Sequence, residues 1–203
     1  AMMLKESTGG KVTVITVGEA SVEPVMRKAL AIGADDAVRV NINASDSFST
    51  AMEIANYIKQ NNFDLIIAGR ESIDYNGGAV PAMIAEMLGL PFVNACIGLE
   101  IDGGNAKLVR EIDGGKEMIS ASLPMVIGGQ KGLVLESDLR IPNMRGIMQS
   151  RTKPLLVVEA TSSYPHACSV SFAKPEEKEG CKLVDAGNVS ELVDLLHNEA
   201  KVI

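Results

Sequence analysis

Residues 11–40 read KVTVITVGEASVEPVMRKALAIGADDAVRV, and the order of hydrophobic periods within them decides the fold class. Residues 11–17 are rich in β-branched side chains and stop at Gly18, the pattern of a buried strand. Val22, Val25, Met26, Ala29 and Leu30 then recur at helical spacing. The GADD of residues 33–36 closes that helix, and residues 37–40 supply a second short strand. Strand, helix and strand in this order make a βαβ unit, which predicts parallel pairing with the helix across one face.

The same alternation extends outward. Upstream, AMMLKESTGG reads as the end of a helix, with Gly9 and Gly10 as the stop. An α/β domain rarely opens within a helix, so the chain is expected to be truncated ahead of Ala1. Downstream, Ala51, Ile54, Ala55 and Ile58 predict an amphipathic helix with Ser47 or Ser49 as N-cap. Residues 64–68 (DLIIA) are a continuous apolar strand, and residues 78–88 a helix that Pro91 ends. The expected fold class is α/β: a doubly wound, mostly parallel, Rossmann-like three-layer sheet.

The pattern changes after Pro91. Residues 92–101, 107–111 and 117–122 read as short extended segments, separated by the turn residues of DGGN and DGG. They predict an antiparallel hairpin added to the parallel sheet, and residues 123–127 return as one more apolar strand. Residues 128–154 show little periodicity and are expected to form a long functional loop. A last short strand at 155–158, an extended polar arm at 161–180 and an amphipathic helix through Val189, Leu192, Val193 and Leu196 complete the chain. The division expected is an α/β nucleotide-binding domain over residues 1–160, then an arm and helix over 161–203.

Composition narrows the function. Of 203 residues, 46% are hydrophobic and 22% charged, enough for a globular core. Aromatic residues are 3% and Trp is absent, so the core rests on aliphatic side chains and the ten Met. Scarce stacking platforms and a net charge of −7 speak against nucleic-acid binding. Cys96, Cys168 and Cys181 form no CxxC pair, which disfavours a disulfide framework or a zinc site and fits reduced thiols in the cytoplasm. No apolar run approaches the roughly 20 residues of a membrane span. GxSxG, Walker A and HExxH motifs are absent, and neither His166 nor His197 has a motif partner nearby, so no catalytic residue and no metal site is assigned.

The informative polar segment is residues 68–82, AGRESIDYNGGAVPA. An apolar strand ends at Gly69, a polar loop follows, and Gly77–Gly78 opens a helix. Ligands of open α/β sheets lie beyond the carboxyl ends of the strands, and free N–H groups at a helix N-terminus suit a phosphate. Glycines allow close approach of the backbone. A plain strand-to-helix turn draws on the same residues.

Four segments carry a family resemblance. VTVITVGEA with LAIGADDAVRV resembles the second βαβ unit of electron transfer flavoprotein β subunits. GRESIDYNGG resembles the nucleotide loop of that family, LVREIDGGKE its REIDGG hairpin, and IPNMRGIMQSRTKP its partner-recognition loop with the basic stretch that follows. The resemblance runs from Ala1 to Ile203, without the family's first strand and the loop after it. It implies a heterodimer with a flavin-binding α subunit, one FAD held mostly by that subunit, and AMP buried in the β subunit. Electrons would pass from acyl-CoA or other dehydrogenases, as in fatty-acid oxidation, to a quinone reductase, with no bond chemistry by this chain.

Carried over by position, Val17 would lie against the base or ribose, and Gly69, Ile73 and Asp74 would line the nucleotide. Gly77, Gly78, Ala79 and Val80 would hold its phosphate through backbone N–H groups. The family commonly has Asn, Gln and Thr where this chain has Gly78, Ala79 and Val80, which leaves AMP or a second FAD, as in bifurcating relatives, open at this site. Arg110 and Glu111 match the hairpin's charged pair, and Glu111 would face an arginine of the α subunit. Met144, beside Arg145, falls at the recognition loop's apolar anchor. Without the resemblance these would read as solvated strand charges and an ordinary loop Met. A nucleotide-binding module of the universal-stress type shares the architecture but lacks the REIDGG hairpin and the long tail.

Overall fold

The computed structural model describes residues 1–161, 164–177 and 180–203. The described chain falls into two compact units, Ala1–Cys168 and Ser169–Ile203.

In the first unit, α1 (Met2–Thr8) ends where Gly9 turns left-handed at φ 73° and returns its N–H to the carbonyl of Lys5. The βαβ unit follows as β1 (Thr13–Val17), α2 (Glu23–Ile32) and β2 (Asp36–Asn41). The two strands pair in parallel from Thr13↔Asp36 to Val17↔Val40. β8 (Leu155–Glu159) pairs in parallel on the other side of β2. This sheet therefore has the order β1-β2-β8. Being central, β2 is buried along Ala37–Val40. Side chains alternate: Ala37 packs with Met26, Leu30 and Ala34 around α2, while Val40 faces α3 (Ser47–Lys59) beside Tyr57, Leu156 and Val158. Helices thus lie on both faces, as the double winding requires.

The second sheet has the order β3-β7-β4-β5-β6. β3 (Leu65–Gly69) and β4 (Phe92–Asp102) flank β7 (Met125–Gly129), all parallel. β5 (Asn105–Ile112) and β6 (Gly115–Ser122) extend it as an antiparallel hairpin. Alternation along these strands separates two cores. Val126 joins Ile66 and Phe92 under α3 and α4 (Ala79–Leu88). Met125 and Ile127 join Val93, Cys96, Ala106 and Leu108 on the opposite face.

The parallel strands thus form two sheets. β1 and β3 each pair on one side only, and no described strand joins them. Apart from Val17 their residues are half-buried or exposed, whereas residues 37–40 of β2 and 125–128 of β7 are buried.

Local details depart from the sequence expectation. The N-cap of α3 is Asp46, not Ser47 or Ser49; its carboxylate accepts the Ser49 N–H at 2.8 Å and outcompetes a neutral hydroxyl. α4 is closed by Gly89 in the left-handed conformation before Pro91 is reached. Residues 128–154 are not one long loop: a 3₁₀ turn at Glu136–Asp138 and the helix α5 (Met144–Ser150) interrupt them. In the second unit, residues 169–188 have no regular structure where described, and α6 (Val189–Asp194) runs into a π turn at Leu195–Glu199. Ser162, Ser163, Lys178 and Glu179, part of the expected arm, lie outside the described residues.

Candidate functional site

Strand β3 ends at Gly69 on the carboxyl side of the sheet, level with Gly129 of β7. The chain then leaves the sheet, and the N–H of Arg70 donates to the carbonyl of Gly129 at 3.1 Å. Residues 70–78 form a loop closed on itself at its base. Ser72 N–H donates to the Gly77 carbonyl at 2.9 Å, and Gly77 N–H donates to the Ser72 hydroxyl at 3.1 Å. Asp74 accepts the N–H of Tyr75, and Asn76 turns the chain at φ 56°, a left-handed position that Asn tolerates. Ile73 is fully exposed at the tip.

The loop delivers the chain to α4 with its N-terminus uncapped. Gly78 is the N-cap and offers no side chain, and among the described residues no side chain caps the helix. Ala79 and Val80 occupy the first turn, where backbone N–H groups have no intrahelical acceptor. A Cβ on Gly69 would meet nothing within 4 Å, and one on Gly78 the Arg70 carbonyl at 3.4 Å and the Glu71 Cβ at 3.9 Å, both ordinary contacts. Gly77 is different: a Cβ there would stand 2.3 Å from the Tyr75 ring, which folds over it. Tyr75 is tied back to α3 through its hydroxyl, 3.2 Å from that of Ser47. The result is an open cradle of glycine backbone and unpaired N–H groups at the positive end of a helix dipole, which fits a phosphate ester.

Val17 stands at the carboxyl end of β1, but in the other sheet. Among the described residues no hydrogen bond links it to the loop. Beside it, Gly18 is fixed by Arg39, a buried side chain that sequence reading passed over. Its guanidinium donates to the Gly18 carbonyl (2.9 Å), to Asn41 (2.7 Å) and to Glu23 (3.0 Å).

The hairpin's charged pair is split. Arg110 sits directly across from Glu117 on β6 and pairs with it. Glu111 turns to the other face, where its carboxylate accepts from Gln130 Nε2 at 2.8 Å. Gln130 follows Gly129, the residue that holds Arg70, and its own N–H donates to the Cys96 carbonyl at 2.8 Å. The end of β7 thus connects the loop after β3 to Glu111 of the hairpin. Nothing local in the sequence marks Gln130, because its partners are distant in the chain.

Met144 and Arg145 open α5. Met144 is 74% exposed, Met148 one turn on is 68% exposed, and Ile141 just before the helix is 84% exposed. Arg145 and Arg151 have no ion-pair partner among the described residues, whereas Arg140 pairs with Glu6.

Other polar clusters serve the fold. A cavity of about 280 Å³ between α3 and β8 includes Glu53, but that carboxylate holds the backbone and side chain of Thr161. His166 stacks on Phe48 with ring centroids 3.9 Å apart. The three cysteines are free thiols, and burial pushes the pKa of Cys96 up. Among the described residues there is no cluster of His, Cys, Asp or Glu able to hold a metal ion, and no helix long and apolar enough to cross a membrane.

Comparison with known proteins bears on these features together. Residues 1–163 match the electron transfer flavoprotein domain. The electron transfer flavoprotein subunit beta of Bacillus subtilis (strain 168) is 36% identical over 217 residues, covering 100% of this chain and 83% of that protein. Its counterpart in Syntrophomonas wolfei is 36% identical over 207 residues, covering 100% and 81%. The acryloyl-CoA reductase electron transfer subunit gamma of Anaerotignum propionicum is 30% identical over 219 residues, covering 97% and 81%. With the parallel sheets, the glycine-rich loop and the added hairpin, this similarity over the whole chain makes it a member of the electron transfer flavoprotein β-subunit family.

Proposed function

We propose that this chain is the β subunit of a heterodimeric electron carrier and holds AMP at the cradle formed by residues 69–80. The observation that carries the reading is the uncapped N-terminus of α4, entered through Gly77–Gly78 at the carboxyl end of β3. Gly78, Ala79 and Val80 bind the phosphate through N–H groups, since none of their side chains has a donor, and Gly77 joins them by giving up its N–H bond to the Ser72 hydroxyl. Gly69, Ile73 and Asp74 line the nucleotide, and Val17 approaches it from β1. FAD, shared with the α subunit, supplies the redox chemistry when bound. The chain's own task is to orient that subunit, through Arg110 and Glu111, and to dock partners through Met144 and Arg145. It carries electrons from acyl-CoA or other dehydrogenases to a quinone reductase and transforms no metabolite. The relative from Anaerotignum propionicum, by name an electron transfer subunit of acryloyl-CoA reductase, fits a partner acting on CoA thioesters.

A backbone-only cradle accepts a pyrophosphate as readily as a monophosphate, so the nucleotide itself is the test. The chain is purified with its flavin-binding α subunit, denatured, and the released nucleotides are identified by mass spectrometry. One FAD and one AMP per heterodimer are expected. A second FAD in place of AMP marks a bifurcating subunit. ATP on a flavin-free homodimer would overturn the carrier reading.

A further inference from the structure

The helix α5 carries the exposed apolar residues of the recognition segment, yet little within α5 itself favours a helix. It has seven residues, too few for stability alone, and Gly146 lies in its interior, where glycine is the poorest former after proline. The reason for Gly146 is on α2: a Cβ there would stand 2.3 Å from the Ala31 carbonyl oxygen. No real Cβ contact is that short, so any other residue forces the two helices apart. Asn143 caps the helix by accepting the Gly146 N–H at 2.7 Å.

Two cations lock the pair from both sides. Arg27, on α2, donates from Nη1 to the carbonyls of Ser150 (2.7 Å) and Lys153 (2.8 Å), at and just beyond the end of α5. Lys153, just after α5, donates from Nζ to the carbonyls of Leu30 (2.9 Å) and Ala34 (2.6 Å), at the end of α2. Each helix C-terminus is thus capped by a positive side chain from the other segment, where the unpaired carbonyls and the dipole favour a cation.

We propose that Arg27, Gly146 and Lys153 are positioning residues that hold α5 in one orientation, so that Met144 and Met148 meet the electron-donating dehydrogenase pre-organised. This rests on the docking role given to Met144 above. The occupant is an apolar pocket with an acidic rim on that dehydrogenase. Met144 and Met148 are one helical turn apart and exposed. The unpaired Arg145 and Arg151 lie within and just after the same helix, on a chain whose net charge is −7. A helix already fixed against α2 does not have to be ordered on encounter, which is the cost that otherwise lowers affinity.

The test measures the second-order rate constant for reduction of the intact αβ complex by the acyl-CoA dehydrogenase that reduces the wild type. Met144→Ala should lower it about tenfold, the loss of a typical anchor. Arg27→Met and Lys153→Met should each lower it several-fold with flavin content and subunit assembly unchanged, and Arg27→Lys, which still reaches carbonyls, should recover part of the loss. Gly146→Ala should act in the same direction. The deciding measurement is the double variant Arg27→Met with Met144→Ala. If the clamp works by presenting the anchor, its loss falls well short of the product of the two single losses. A full product, or normal rates in both clamp variants beside a slowed Met144→Ala, overturns the clamp and leaves the docking role standing. An unaltered rate in Met144→Ala, or lost αβ assembly, overturns the docking role itself.

Discussion

At Gly78 the backbone has φ −106°, which any residue adopts, and a Cβ there comes no closer than 3.4 Å to its nearest neighbour. The free protein therefore tolerates a side chain at this position, whereas a phosphate approaching the first turn of α4 does not. Gly78→Val should fold normally, with a melting temperature close to wild type, and lose its retained nucleotide. Mass spectrometry of the denatured protein checks this, and full AMP content in the variant would falsify the cradle. Gly77→Val is the poorer test, because its side chain strikes the Tyr75 ring and rearranges the loop first.

Asp46 does two jobs with one carboxylate. One oxygen caps α3 through the Ser49 N–H and also accepts the Ser49 hydroxyl. The other accepts the N–H groups of His166 (2.6 Å) and Ala167 (3.1 Å), far along the chain. The Ser49 hydroxyl bond leads; partial burial opposes it, and the backbone N–H bonds add to it, so the pKa falls from 3.8 to about 2. A depressed carboxylate pKa contributes stability that is complete above the unfolded value and lost as pH falls through the folded one. Asp46→Asn should thus be less stable than wild type at neutral pH, and the gap should close as pH falls from about 4 towards about 2. Urea denaturation at a series of pH values reads it; a gap independent of pH would mean that the charge is irrelevant.

Among elements, the hairpin β5–β6 separates what holds it together from what it offers. Arg110 and Glu117 form a cross-strand pair of the kind that stabilises a hairpin. Glu111 contributes one exposed bond to Gln130. Glu111→Ala should change stability by within about 0.5 kcal/mol, yet alter the electron-transfer rate of the αβ complex by releasing the orientation of the flavin-bearing subunit. Thermal unfolding and stopped-flow reduction on one preparation check both halves. A marked loss of stability with normal turnover would assign Glu111 to the fold instead.

The elements also differ in how readable they were. β1, α2, β2, β3 and α4 were legible because each carries its own period and its own stop. α5 was not, because its stability comes from α2 through Arg27, Lys153 and the contact at Gly146. An interior glycine and a short span, with only Met144, Ile147 and Met148 to mark a helical period, read locally as a loop. The cap of α3 falls one residue before Ser47 and three before Ser49 for a related reason: Asp46, Ser47 and Ser49 all have capping side chains, and the bonds from His166 and Ala167 tie the carboxylate of Asp46 in place.

For the whole molecule, the second unit leaves Val170, Phe172 and Leu183 almost fully exposed, and Val189, Leu192 and Val193 about half exposed or more. Apolar residues spaced along an extended segment need a surface to cover them, and the α subunit is the surface we propose. Phe172→Asp and Leu183→Asp should leave the fold of residues 1–168 intact and weaken αβ assembly by more than about 1 kcal/mol each. Sedimentation or titration of the two subunits measures this. Unchanged assembly in both variants would remove the arm from the interface.

Sequence by itself determined the order of helices and strands outside residues 128–154, the parallel βαβ unit, the antiparallel addition after Pro91 and the glycine-rich entry to α4. All of these are written in local periods and in residues whose backbone preferences act over a few positions. Only the tertiary structure decided that the strands divide into β1-β2-β8 and β3-β7-β4-β5-β6, with β1 and β3 each paired on one side only among the described residues. It likewise decided that Gln130 joins the loop after β3 to Glu111, that Arg39 fixes Gly18, and that α5 is a helix at all. The physical reason is the same in each case. A hydrogen bond or a close backbone approach between residues far apart in the chain leaves no periodic trace in either segment, and it acquires an energy only once both have been brought together.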